Sequence, residues 1–113
     1  MTYLLKEPEK ITFDKAGVKG KIFPTKELIA TAEYILIDTE QGHQTEIVEH
    51  ECDFVYYILN GSGEFIIEGN AFNCQSGDLV VIPRGTKFTY KRKLKMLLVV
   101  SPPFWPEQEK TIE

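Results

Sequence analysis

The chain of 113 residues is short of the residue types that most often carry chemistry, with two cysteines, two histidines, two methionines and one tryptophan. Cys52 and Cys74 form no metal-ligand spacing and are too few for a disulfide framework, so reduced thiols and folding without covalent staples are expected. Nothing near Cys52 marks an activated thiolate. Long apolar runs are also missing: the longest spans a few residues around Met96 to Val100, far below the roughly 18 to 20 needed to cross a membrane. The opening MTYLLKEPEK lacks a basic stretch followed by an apolar one, so a soluble, cytoplasmic protein with no membrane partner is expected. Excess positive charge is absent, since 13 Lys and Arg stand against 17 Asp and Glu. That balance disfavours a nucleic-acid partner, because phosphate binding relies on a positive face. The basic cluster Lys91, Arg92, Lys93 and Lys95 reads as a solvated loop and strand edge. Finally, no long stretch repeats apolar residues at the helical period.

What is present points to strands. An apolar content of 42% in 113 residues supplies one core, hence a single domain over residues 1–113 with a barrel at about 20–101 and terminal extensions that pack on it or on a partner. Segments rich in β-branched and aromatic residues predict strands near 20–23, 33–38, 45–50, 54–59, 63–68, 71–75, 79–82, 87–91 and 95–101. Gly42, Asn60-Gly61-Ser62-Gly63, Gly69-Asn70, Ser76-Gly77-Asp78 and Pro83-Arg84-Gly85 supply the turns, with Gly69-Asn70 expected as a two-residue hairpin loop. Asn60-Gly61-Ser62 fits a glycosylation acceptor but reads better as a turn, and Gly61-Ser62-Gly63 lacks the third glycine of a nucleotide-binding loop. Pro24 to Ala30 is expected to hold a helical turn, and Ser101-Pro102-Pro103 to end the last strand ahead of an extended tail, FWPEQEKTIE. Short strands at such regular spacing imply an all-β sandwich or barrel.

Two blocks then stand out. Five residues separate Gly42 from Val48-Glu49-His50, three more lead to Phe54 and six more to Gly61; five separate Gly77 from Pro83, and two follow Gly85 before Phe88. These resemble the paired motifs of the cupin superfamily, a glycine followed by His-x-His and Glu, then Gly-x5-Pro-x-Gly-x2-His. The resemblance covers residues 42–92 and implies a jelly-roll β-barrel. The chain end VVSPPFW is in addition similar to the metal-poor Q-type cupins of the ethanolamine-utilisation cluster. In metal-binding cupins the four motif positions hold one divalent ion. Here they read Val48, His50, Phe54 and Phe88, so one ligand of four remains and no metal or other cofactor is expected.

Alternation along strands places Glu46, Val48, His50, Phe54, Tyr56, Ile58, Phe88 and Tyr90 around the barrel interior, with Met96 and Leu98 facing them. Such an apolar, aromatic bowl with a few polar groups either binds a small molecule or is a filled core. Glu49 is expected to point outward, and His43, on the loop after Gly42, is set aside. The leading expectation is a metal-independent cupin that binds a small organic ligand, a sugar or carboxylate, as a homodimer. A metal-free isomerase or epimerase is the alternative: by analogy with such cupins, His50 is the general base and Tyr56 or Tyr90 the acid. A divergent metal enzyme is the third. The homodimer rests on YYILN and MLLVV, which carry more large side chains than one buried sheet face uses.

Overall fold

The computed structural model describes residues 3–103. The FWPEQEKTIE tail therefore lies outside the described residues. Eight strands run β1 (Phe13–Lys15), β2 (Val18–Ile22), β3 (Glu33–Thr39), β4 (Asp53–Ile67), β5 (Asn70–Gln75), β6 (Leu79–Ile82), β7 (Phe88–Lys91) and β8 (Leu94–Ser101). All pairings among them are antiparallel, in the order β1-β2-β3-β8-β4-β5, with β6 and β7 also on β4. The architecture is an all-β jelly roll. Among the described residues no helix is long and apolar enough to cross a membrane.

Strand β4 organises both layers. Its first half pairs with β6 and β8, its second half with β5 and β7. Two separate strands with a turn at Asn60 to Gly63 were expected, and instead one strand of 15 residues runs through. The glycines serve close approach rather than reversal: a Cβ at Gly61 would overlap the carbonyl of Lys93, and one at Gly63 the carbonyl of Lys91. A bulge between Ile58 and Asn60 adds the residue that changes the strand's parity. Tyr56 and Ile58 are buried before it and Phe65 after it, so even and then odd positions face the core. The hairpin after β4 has Glu68 and Gly69 as its two loop residues, both at positive φ, one position earlier than the sequence reading. Pro24 to Ala30 forms hydrogen-bonded turns, Leu28 and Ile29 N–H donating to Thr25 O, without a helix.

The largest correction concerns residues 45–50. No strand forms there, and the segment touches the sheet through isolated bridges, Gly42 to Lys91 and Ile47 to Phe88. Directly paired residues point to one side of a sheet. Phe88 faces the core, so Ile47 does too, and its neighbours face out: Glu46, Val48 and His50 are all exposed rather than interior. Downstream, the Pro83-Arg84-Gly85 corner is tied on both sides. Gly85 N–H donates to Glu49 O at 2.8 Å, and Arg84 holds Asp53 through its backbone N–H at 2.9 Å and its guanidinium at 3.1 Å.

The interior is filled by rings. Tyr56, Phe65, Phe88 and Tyr90 are each at most 2% exposed, together with Ile58, Leu94 and Met96. Phe65 stacks on Phe88 at 6.3 Å between centroids, and Tyr56 meets Phe65, Phe88 and Tyr90 at 5.2 to 5.9 Å. The outer face of the larger layer is also apolar. Tyr57, Leu79 and Val81 remain exposed on it, beside half-buried Val55, Leu97 and Val99. Because Phe88 is 1% exposed and packs against the rings of Phe54, Tyr56 and Phe65, Phe88→Ala is expected to cost about 3–5 kcal/mol in denaturant unfolding. A loss under 1 kcal/mol would show that the barrel collapses around the site and that the ring does not hold it open or shut.

Candidate functional site

The chemistry-bearing residues that meet inside the barrel are Tyr56 from β4, Tyr90 from β7 and His43 from the loop between β3 and β4. His43 is placed by its neighbour. Gly42 has φ +101°, and a Cβ there would overlap the Tyr90 carbonyl, so only glycine lets the loop lie this close to β7. His43 N–H then donates to Tyr90 O at 2.9 Å, which puts the two residues opposite each other. The imidazole accordingly turns inward and packs edge-on to the Tyr90 ring, 5.8 Å between centroids at 72°. Thr39 and the β1–β2 turn secure this arrangement. Gly42 N–H donates to Thr39 Oγ1 at 2.9 Å, Thr39 Oγ1 donates to Gly17 O at 2.8 Å, and Gln44 N–H donates to Ala16 O at 2.8 Å. The same docking brings Lys15 near enough for its charge to act on the imidazole.

The protonation states follow from this surrounding. Burial pushes the His43 pKa below the ordinary histidine value, the Lys15 charge adds to that, and the Thr45 carbonyl opposes it. His43 is therefore neutral at neutral pH. Its Nδ1 lies 2.8 Å from Thr45 O, an atom that only accepts, so Nδ1 carries the hydrogen and donates it. The longer approaches of Thr45 N and Oγ1 to Nδ1, 3.3 and 3.4 Å, are too weak to reverse that assignment. Nε2 is left with the lone pair, the form required of a base. Burial also raises both tyrosine hydroxyls, Tyr56 well above the ordinary value, and the two rings meet edge-on at 5.6 Å between centroids. Both hydroxyls therefore keep their protons at neutral pH and are able to donate them.

Of the residues expected from the sequence, Tyr56, Tyr90 and Phe88 lie in the core and Phe54 is half-buried against Phe88 and Tyr56 at 6.0 and 6.2 Å. Glu46, Val48 and His50 do not join them, because Ile47 is the residue paired with inward Phe88 and the even positions beside it face solvent. His43, set aside in the sequence, takes the inward position. Its signal was Gly42, a motif glycine whose close approach aims the residue after it. The metal positions do not fit an ion: Val48, Phe54 and Phe88 offer no donor atom and His50 is exposed. Among the described residues no group of three or more His, Cys, Asp or Glu is arranged to hold one. Both cysteines are free and buried, and burial raises both thiols, so neither is a ready thiolate.

Fold and motif positions together define the class: the chain is a cupin. A family model described as ethanolamine utilisation protein EutQ matches residues 25–107, and the chain belongs to that family. The Clostridium difficile EutQ protein superposes with a TM-score of 0.69 at 22% identity, over 80% of this chain and 66% of that one. Streptomyces PAC13, described as a nucleoside dehydratase, reaches a TM-score of 0.83 at 24% identity over 96% of this chain and 88% of its own. KdgF from a Halomonas species gives 0.73 at 17% identity, over 88% and 90%. No curated protein sequence matches. Three further PAC13 structures hold uridine, one with a histidine-to-glutamine and two with tyrosine-to-phenylalanine substitutions. The substituted positions are 13 and 34 residues apart, the intervals that separate His43, Tyr56 and Tyr90 here.

The titration of His43 has a defined sign. Folding lowers its pKa, so between the folded value and about 6.5 the unfolded chain binds more protons and stability rises with pH. The contribution is complete above about pH 6.5 and lost as pH falls through the folded value. An NMR titration is expected to give His43 a pKa below about 6.5, and His43→Gln to lessen the loss of unfolding free energy on acidification. A pKa at or above that value would contradict the burial of the imidazole against Tyr90.

Proposed function

We propose that this cupin is a metal-independent acid–base enzyme that removes water from a small sugar-like or nucleoside-like substrate. The observation that carries the reading is the meeting of a neutral, tautomer-fixed His43 with Tyr90, which packs in turn on Tyr56, both tyrosines being protonated. The matching intervals in the uridine-bound PAC13 structures support it. The base is His43, in place of the exposed His50.

The step balances without a redox partner. His43 Nε2 takes a proton from a carbon beside a carbonyl, where the C–H is acidified. The electron pair left behind forms the new C=C bond as the C–O bond on the next carbon breaks. Tyr90 gives its proton to the departing hydroxide, which leaves as water, and Tyr56 donates a hydrogen bond to the phenolate that forms. Transfer from the imidazolium back to Tyr90 restores both groups. The half-buried Phe54 and the rings beneath it supply an apolar wall for a flat base or sugar face. Lys15 places a positive charge beside the site, suited to the oxygen on which negative charge develops.

An isomerase or epimerase uses the same base and acid but returns the proton to carbon and keeps the hydroxyl. Mass spectrometry separates the two: incubation with nucleosides and sugars oxidised to aldehydes is expected to give a product lighter by one water. His43→Gln is expected to lower kcat by roughly 100- to 10,000-fold, and the acid limb of kcat/KM to fall below the ordinary histidine value. An unchanged mass with solvent deuterium in the substrate would replace dehydration with isomerisation. Turnover unaffected by His43→Gln would end both.

A further inference from the structure

Strand β7 meets the loop before β4 at two places, Gly42 and His43 opposite Lys91 and Tyr90, and Ile47 opposite Phe88. On the loop three residues, 44–46, lie between those points; on β7 one residue, Thr89, does. The loop must bulge there, which takes the carbonyls of His43 and Thr45 out of the β7 ladder. The backbone of Thr89 is paired on its other side, with Ile66. Its side chain fills the gap: Thr89 Oγ1 lies 3.1 Å from His43 O and 3.2 Å from Thr45 O, positioned to donate to both. The second of these is also the acceptor for His43 Nδ1–H at 2.8 Å.

We infer that Thr89 is a positioning residue that fixes the tautomer of His43 by holding the Thr45 carbonyl against its Nδ1. The inference rests on the reading of His43 as the base, since its consequence for turnover is that Nε2 stays unprotonated. The side chain does this without entering the interior. Phe88 and Tyr90 face inward, so Thr89 between them faces the loop and remains half-buried. A threonine here differs from a valine by one hydroxyl in place of a methyl, and the hydroxyl hydrogen is the donor these carbonyls use. Without that donor, the Thr45 carbonyl is free to turn away and Nδ1–H loses its acceptor. The Thr45 N–H and Oγ1 already stand 3.3 and 3.4 Å from Nδ1 and become its donors, which moves the proton to Nε2. The loop thus holds both hydrogen-bond patterns within reach, and Thr89 selects one.

Ring-nitrogen NMR of the full chain, labelled at histidine, reads the tautomer directly and needs no substrate. In the native chain His43 is expected as the Nδ1–H form. Thr89→Val is expected to lose that single form in favour of Nε2–H or a mixture of the two, and Thr89→Ser to restore it. Thr89→Ala serves as the second deletion of the hydroxyl should the valine variant not fold. A folded Thr89→Val or Thr89→Ala chain that keeps the pure Nδ1–H form overturns the inference. So does a native chain already in the Nε2–H form. Because this signal is independent of turnover, a tautomer shift in a chain that dehydrates nothing would leave the role of Thr89 standing and remove the enzymatic reading alone.

Discussion

The arrangement of this barrel depends on a steric constraint at residue 42. Any side chain there would strike the Tyr90 carbonyl, and the backbone adopts a positive φ that glycine alone accepts at little cost. With glycine in place, the loop lies against β7 and the next residue is forced to face Tyr90. From that single approach follow the ring contact, the Thr45 hydrogen bond and the burial that keeps the imidazole neutral. A shift of one residue at this point would turn His43 to solvent, the side on which Glu46, Val48 and His50 lie.

The second motif uses the same architecture to a different end. The corner at Pro83 to Gly85, held by Glu49 O and by the Asp53 carboxylate, aims Phe88 into the barrel. That ring stacks on Phe65 and packs against Tyr56, so the place where cupins of the metal-binding kind put an ion holds a packed aromatic cluster. Rings of this size raise the energetic cost of charge beside them. Tyr56 and Tyr90 are kept protonated by that environment and His43, at its edge, is kept neutral. Packing the interior with rings and setting the protonation states are thus one effect seen at two levels.

Much of this was legible in the sequence, and the failures have physical causes. Alternation identified β3, β6, β7 and β8 and the inward positions of Tyr56, Phe88 and Tyr90, because each of those strands is held in a continuous ladder to a neighbouring strand. The pattern TEIVEH alternates just as well, yet it runs beside β7 with two bridges and a bulge, and composition does not record a missing ladder. Gly61 and Gly63 were read as a turn because glycine serves reversal and close approach alike; which one applies depends on the β7–β8 connection packed over them. β1 was missed since three residues ending in lysine carry too little pattern. His43 was passed over for a related reason, as its inward aim is set by a backbone hydrogen bond to a residue 47 positions later.

Resonance assignment of the ring side chains during titration with uridine and a panel of sugar aldehydes tests the central claim most directly. If the barrel acts through its His43, Tyr56 and Tyr90 cluster, a binding member of the panel moves those three rings and Phe54 most, and leaves His50 unchanged. Shifts centred on His50, or on the exposed Tyr57, Leu79 and Val81 of the outer face, would contradict the account.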